Sequence, residues 1–259
     1  MVIGRLHSIE TMGLVDGPGI RTIFFLQGCP LRCLYCHNPD TQALQGGTEI
    51  TPDFVLSKAK RYKTYYRDNG GVTFSGGEPL LQGEFLAETL KLLKENGFNT
   101  CIDTSGYGNE KYFKEILEKM KEYVEPGIEE ICNWESEEIP LRYIKSFSNQ
   151  GYIEMVKQKM DGFYTFLDYV EKYFKGKIWF RHVMVPGFTD NKESMDKFIE
   201  IIKPYQDKIE RVEILPYHLM GVAKYKEIGR DYKLKGVPAM NKEKAVMFES
   251  YVRSKLNLN

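Results

Sequence analysis

Three cysteines fall in the stretch Cys29-Pro30-Leu31-Arg32-Cys33-Leu34-Tyr35-Cys36-His37-Asn38, at i, i+4 and i+7. Thiols this close together point to metal or cluster ligation, or to redox chemistry, before they point to packing. A cubane iron–sulfur cluster has four irons and normally takes four thiolates. The two remaining cysteines, Cys101 and Cys132, lie far down the chain. Three local ligands would leave one iron open to something other than protein. The competing reading is a structural zinc site, which wants four closed ligands, usually as two separated pairs. No second Cys or His pair exists, and a disulfide would leave an odd thiol in the same loop. A cluster fits the spacing best.

The elements that must position this loop follow from pattern. Arg21 to Leu26 is a short β-rich run, read as the first strand, and the cysteine loop leaves it directly. Residues 1–20 are glycine-punctuated, with a turn signal at Asp16-Gly17-Pro18-Gly19. Pro52 to Arg67 has helical composition. Gly71 to Phe74 reads as a buried strand followed by Ser75-Gly76-Gly77-Glu78-Pro79. Gln82 to Asn96 is an amphipathic helix closed by Gly97. Asn99 to Ile102 is the next strand, followed by Asp103-Thr104-Ser105-Gly106, with Asn109 capping a helix to about Tyr123. Lys177 to Val185 is a strand ending at Pro186-Gly187, and Asp190 caps a helix to about Lys203. Arg211 to Leu215 ends at Pro216-Tyr217-His218, and a helix from about Asn241 to Ser254 closes the chain.

Strands alternating with helices of this length give βαβ units and a parallel sheet. The unusual residues all come just after a strand, which in a β/α barrel is the face where chemistry is done. About six units can be counted, so the fold class is α/β, a partial TIM-like barrel forming one domain over residues 1–259. The stretch 125–142 breaks the rhythm: Pro126-Gly127 opens it, Glu129, Glu130, Glu135, Glu137 and Glu138 crowd it, and Pro140 ends it. It reads as an exposed acidic insertion, with Leu141 to Phe147 as the strand remnant.

Composition bounds the partners. The 259 residues carry 36 Lys+Arg against 36 Asp+Glu, so bulk charge does not argue for nucleic acid or an anionic membrane. No window of about 18 apolar residues suits a membrane span, and the first ten residues do not read as a signal peptide. An odd number of cysteines fits a reducing compartment, and the expected location is cytoplasmic.

Beyond the cysteines, Gly76 and Gly77 at a strand end permit close approach of backbone to a ligand, or make an ordinary tight turn. Asp103-Thr104 suits a cation, a polar ligand or a helix cap. His218 is one of four histidines, and a lone histidine is more often structural. Arg181 within a strand is expensive to bury unless paired with an anion. No Ser-His-Asp order, Walker loop or Rossmann fingerprint occurs. If the chain is an enzyme, a cofactor carries the hard chemistry.

The Cys-x₃-Cys-x₂-Cys loop with an aromatic before its last cysteine resembles the signature of the radical S-adenosylmethionine enzymes. Within them the chain is similar to the glycyl-radical-enzyme activases, specifically those acting on pyruvate formate-lyase. The matching stretches are Gly13 to Arg21, Gln27 to Asp40, Gly71 to Leu81, Asp103 to Tyr107, Trp179 to Asp190, and Leu215 to His218. The resemblance implies a partial (β/α)₆ barrel with one [4Fe–4S] cluster on Cys29, Cys33 and Cys36. S-adenosylmethionine would chelate the open iron, and one electron from a flavodoxin or ferredoxin would split its sulfonium bond. The resulting 5′-deoxyadenosyl radical would take a hydrogen atom from a glycine Cα of the partner enzyme. By the same resemblance, Tyr35, Cys36 and His37 flank the cofactor, Gly76, Gly77 and Glu78 meet its amino group, and His218 its adenine or ribose. Arg181 would lie near it, Asp103 and Thr104 would hold a monovalent cation, and Asp16 and His37 would face the glycine-bearing peptide.

One departure stands out. The family pattern has a strand ending in Asp-x-Lys; aligning Lys145 with that lysine puts Tyr143 in place of the aspartate, with Ile144 between. A tyrosine supplies no carboxylate to the cation or the methionyl end. Asn38 to Gly71 contains no cysteine, whereas several other activases carry a cysteine-rich insert there. The rival readings are a radical enzyme acting on another glycyl radical enzyme or a small molecule, and a zinc-stabilised interaction module without catalysis.

Overall fold

A computed structural model of the chain describes residues 2–122, 134–136, 158–174 and 176–258. The chain divides into two compact units. One comprises Met1–Pro30, Thr41–Glu135 and Asp161–Ile178; the other comprises Leu31–Asp40, Ser136–Met160 and Trp179–Asn259. The division falls inside the cysteine loop, between Pro30 and Leu31.

The first unit is built on strands β1 (Gly4–Gly13), β2 (Arg21–Leu26), β3 (Thr48–Ile50), β4 (Gly71–Gly76), β5 (Thr100–Asp103) and β6 (Trp134–Ser136). Their order is β3-β1-β2-β4-β5-β6. β1 runs antiparallel to both β2 and β3, while β2, β4, β5 and β6 are parallel neighbours. The register pairs Leu26 with Gly76 and Phe74 with Ile102. The loops that leave these strands therefore start at one level of the sheet. Phe24 and Phe74, both fully buried, stack at 5.8 Å between centroids. Removing each such ring from water contributes about 1.5–3 kcal/mol.

Helices α1 (Pro52–Tyr66), α2 (Gly83–Glu95), α3 (Glu110–Glu122) and α4 (Asp161–Tyr173) belong to this unit. Thr51 caps α1 by accepting from the Phe54 amide at 3.2 Å, with Pro52 where no donor is needed. α2 buries Phe85, Leu86, Leu90 and Leu93 on one stripe. Phe113 of α3 meets Phe166 of α4 edge-on at 5.3 Å.

The second unit holds the neighbouring strands β7 (Ile178–Met184) and β8 (Ile209–Pro216) with α5 (Lys192–Ile202), α6 (Val222–Glu227) and α7 (Lys242–Lys255). β7 is buried along its whole length, as a two-sided strand must be. Phe198 of α5 stacks on His182 at 5.3 Å. Asn241 caps α7 by accepting from the Lys244 amide at 2.8 Å. No described helix is long and apolar enough to cross a membrane.

Four expectations need correction. Within residues 1–20 lies a ten-residue strand, β1, whose register shifts at Leu6/Ser8 and Glu10/Gly13. Such bulges break the two-residue period by which a strand is read. The acidic run is not wholly an exposed insertion, because Trp134 and Glu135 pair with Ile102 and Asp103 of β5. The rest of that run, and the remnant at Leu141 to Phe147, lie outside the described residues. α4 went unassigned although Phe163, Phe166, Leu167 and Val170 are spaced for a helix. The cap of α5 is Asn191, which accepts from the Ser194 amide at 2.9 Å. Asp190 instead accepts from the Gly187 amide and from Lys244.

Candidate functional site

In the first unit the base of the cysteine loop is clipped shut. The Gly28 amide donates to Thr41 O at 2.7 Å, and the Gln27 side chain donates to Ala43 O at 2.8 Å. The Gly77 and Glu78 amides donate to Leu26 O and Gly28 O at 2.9 and 2.8 Å. The glycines there have two distinct causes. Gly76 sits at φ +105°, where a side chain is strained. Gly77 leaves no room, since a Cβ would lie 2.1 Å from the Gly28 carbonyl oxygen. Sequence alone left these glycines either admitting a ligand or making a tight turn; the close approach seen is to the loop that begins the cysteine motif. Gly77→Ala should therefore cost about 1–3 kcal/mol by forcing two backbones apart. Chemical denaturation measures it, and an unchanged midpoint would refute the packing argument.

Glu78 turns inward beneath this contact. Its carboxylate is almost fully buried and accepts from the Leu80 amide (2.9 Å), the Thr104 hydroxyl, and the Ser105 amide (2.8 Å) and hydroxyl. Burial pushes the Glu78 carboxyl above the usual glutamate range, and these donors pull against it. Thr104 also accepts from the Gly106 amide at 2.9 Å. Asp103, at the end of β5, accepts from Ser75 Oγ at 3.0 Å and is buried. The structure thus brings together Glu78 with Thr104, and Asp103 with Ser75.

Asp16 lies in the loop between β1 and β2. Arg21, fully buried, anchors that loop by donating to Pro18 O at 2.9 Å and to Thr73 Oγ1 at 2.6 Å. The Thr73 hydroxyl in turn donates to Asp16 O at 2.7 Å. Arg21 also donates to Val72 O and Asn99 Oδ1. Beside Asp16, the exposed Leu14 and Val15 form the tip of a loop held from below.

In the second unit, the amide of Cys36 donates to Cys33 O at 3.2 Å, so the last two cysteines bracket a turn. Cys33 and Tyr35 are buried and Cys36 half-buried. The rings of His37 and His218 lie 4.0 Å apart with 35° between their planes. Burial, and then the Lys242 ammonium, hold His218 below the usual histidine range, which favours the neutral ring. The preceding Tyr217 is fully buried, and its hydroxyl meets that of Tyr232 at 2.6 Å. Arg181 has its anion in the protein, because its Nε donates to Glu213 Oε2 at 2.8 Å. Arg211 takes the other oxygen of Glu213 at 2.7 Å.

Cys29, Cys33 and Cys36 are thiols and not half-cystines. A thiolate-only donor set in one loop suits an iron–sulfur cluster. Among the described residues no three His, Cys, Asp or Glu side chains group as ligands of a single ion. Thiolates of a cubane stand on different irons and need not converge on one point. Tyr143, Ile144 and Lys145 lie outside the described residues. Sequence reasoning missed Ser105, Glu213 and Tyr232. Ser105 was within a recognised motif, whereas the other two carry no local signal.

Comparison with known proteins adds the chemistry. Residues 15–152 match the family model described as a 4Fe-4S single cluster domain. The chain is 48% identical over 257 residues to the pyruvate formate-lyase-activating enzyme of Clostridium pasteurianum, covering 99% of this chain and 100% of that one. It is 40% identical over 259 residues to the enzyme of the same name from Staphylococcus aureus, covering 98% and 97%. Among solved structures, a radical SAM methyltransferase from Sphaerobacter thermophilus shares the fold. Its TM-score is 0.58 at 14% identity, over 91% of this chain and 64% of that one.

Proposed function

This chain belongs to the pyruvate formate-lyase-activating enzymes, a radical S-adenosylmethionine family, and we propose that it installs the glycyl radical on pyruvate formate-lyase. The observation that carries the reading is identity of 48% across the full length of a relative of that name. Its cofactors are a [4Fe–4S] cluster and S-adenosylmethionine. Together these supply a 5′-deoxyadenosyl radical that removes a hydrogen atom from a glycine Cα of the partner.

The chain's own residues take the remaining tasks. Cys29, Cys33 and Cys36 hold three irons as thiolates. His218, kept neutral, and His37 offer a pair of imidazoles in contact to the adenosine. Gly76, Gly77 and Glu78 shape the methionyl end, where the Glu78 carboxylate organises residues 104–105 from behind. Tyr35 is buried within the cysteine loop, and Arg181 is held in direction by Glu213. Asp103 and Thr104 are the candidate holders of a monovalent cation. Asp16, on its Arg21-braced loop, faces the glycine-bearing peptide. A flavodoxin or ferredoxin supplies the electron, and the setting is the anaerobic cytoplasm, where thiols stay reduced.

Anaerobic reconstitution with iron and sulfide tests the reading. About four irons per chain are expected, with reductive cleavage of S-adenosylmethionine and an organic radical on added pyruvate formate-lyase. Stoichiometric zinc without cleavage would leave an interaction module instead. Cleavage without a radical on pyruvate formate-lyase would point to another target.

A further inference from the structure

The segment leaving the cysteine loop is gripped by one short stretch of the second unit. His218, Gly221 and Lys224 follow one another at intervals of three. The His218 ring lies tilted against that of His37 at 4.0 Å. Gly221 lies against the same residue: a Cβ there would come within 2.9 Å of His37 Cα and 3.0 Å of its Cδ2. Lys224, in the first turn of α6, donates from Nζ to Asn38 Oδ1 at 2.8 Å and pairs with Asp40 Oδ2 at 3.6 Å. The amide of Lys224 donates to Gly221 O at 3.2 Å, so both contacts come from one turn of chain.

The residues that Lys224 joins flank Pro39, whose ring fixes its own φ and restricts Asn38 to extended backbone. With that joint stiff, two side-chain anchors on one ammonium set the direction in which the chain leaves Cys36 and His37. The Lys224 side chain is 40% exposed, so burial does not by itself account for the arrangement.

We propose that Lys224 is a positioning residue for the cofactor. By tying Asn38 and Asp40 to α6 it holds the His37 ring against His218, and so sets the face offered to the adenosine of S-adenosylmethionine. The inference rests on the functional reading above. Asn38 and Asp40, which the ammonium holds, are not the cysteine ligands, so its loss should weaken cofactor binding while the cluster still assembles.

The experiment uses the anaerobically reconstituted full chain. Lys224→Met should hold as much iron as the unaltered protein and bind S-adenosylmethionine about fivefold more weakly, the scale of one partly exposed charged hydrogen bond. The change that the cofactor induces in the spectrum of the reduced cluster should be altered. Asn38→Leu should reproduce part of the loss, and the double variant should be no weaker than Lys224→Met alone, because the Asn38 contact is one of the two that the ammonium makes. Lys224→Arg should recover most of the affinity. Unchanged affinity and spectrum in Lys224→Met would overturn the proposal, as would loss of iron in step with affinity, additive single losses, or no recovery with arginine. If the unaltered chain carries four irons but binds no S-adenosylmethionine, the functional reading itself fails, which is a separate result.

Discussion

Cys33→Ser should purify without a cluster: iron falls from about four per chain to background, and S-adenosylmethionine is no longer cleaved. A serine hydroxyl is a hard, weakly acidic ligand, whereas iron–sulfur clusters are held by soft thiolates. The loop has no spare thiol, because Cys101 is buried on β5 beside the Arg21 anchor and Cys132 is far away in sequence. The carbonyl of Cys33 accepts from the Cys36 amide, so the two ligands share one turn. Cys132→Ser is the control and should keep its iron. Iron and sulfide analysis with cleavage assays under anaerobic conditions measures the pair. A Cys33→Ser chain that retains four irons would show that the ligand set is misassigned.

Glu78→Gln should destabilise the fold by about 2–4 kcal/mol, a large part of the 5–15 kcal/mol that usually separates folded from unfolded domains. All four contacts of the carboxylate are donors, two from backbone amides and two from hydroxyls. A carboxamide accepts through one oxygen only. Its NH₂ must point at either the Leu80 or the Ser105 amide, donor against donor, inside a buried site. Burial sharpens the cost, since no water replaces the missing acceptor. The same change frees residues 104–105, so cofactor affinity should fall together with stability. The shift in denaturation midpoint at constant slope reads the first effect. A midpoint equal to that of the unaltered protein would mean that the donors find other acceptors.

Much of the architecture was legible before any coordinates. α2 and α7 fall within two residues of their expected bounds, because Gly97 and Asn241 are local signals that act on their own neighbours. β4 and β7 read correctly as short apolar runs. β1 did not, because its register shifts at Leu6/Ser8 and Glu10/Gly13 interrupt the two-residue alternation. Asn191 took the capping role expected of its neighbour Asp190, a choice between adjacent residues that only the helix's first turn decides. Glu135, one of the acids that made its stretch look solvent-facing, pairs with Asp103 in the sheet.

The division between what the sequence and the fold decide is sharpest at the site. Spacing along the chain is covalent, so Cys29, Cys33 and Cys36 declared a cluster with an open iron by themselves. The order of loops after strands marked which residues to expect at strand ends. What sequence could not declare is where buried charge finds its partner. Arg181 was expected to need an anionic partner, but only the fold shows that it is Glu213, 32 residues on. Glu78 was read with the glycines beside it, yet its donors at Thr104 and Ser105 come from 26 and 27 residues away. Lys224 reaches Asn38 across 186 residues. A charge taken out of water must be compensated by whatever the fold brings within hydrogen-bond distance. That neighbourhood belongs to the packing of strands and loops, and no local pattern carries it.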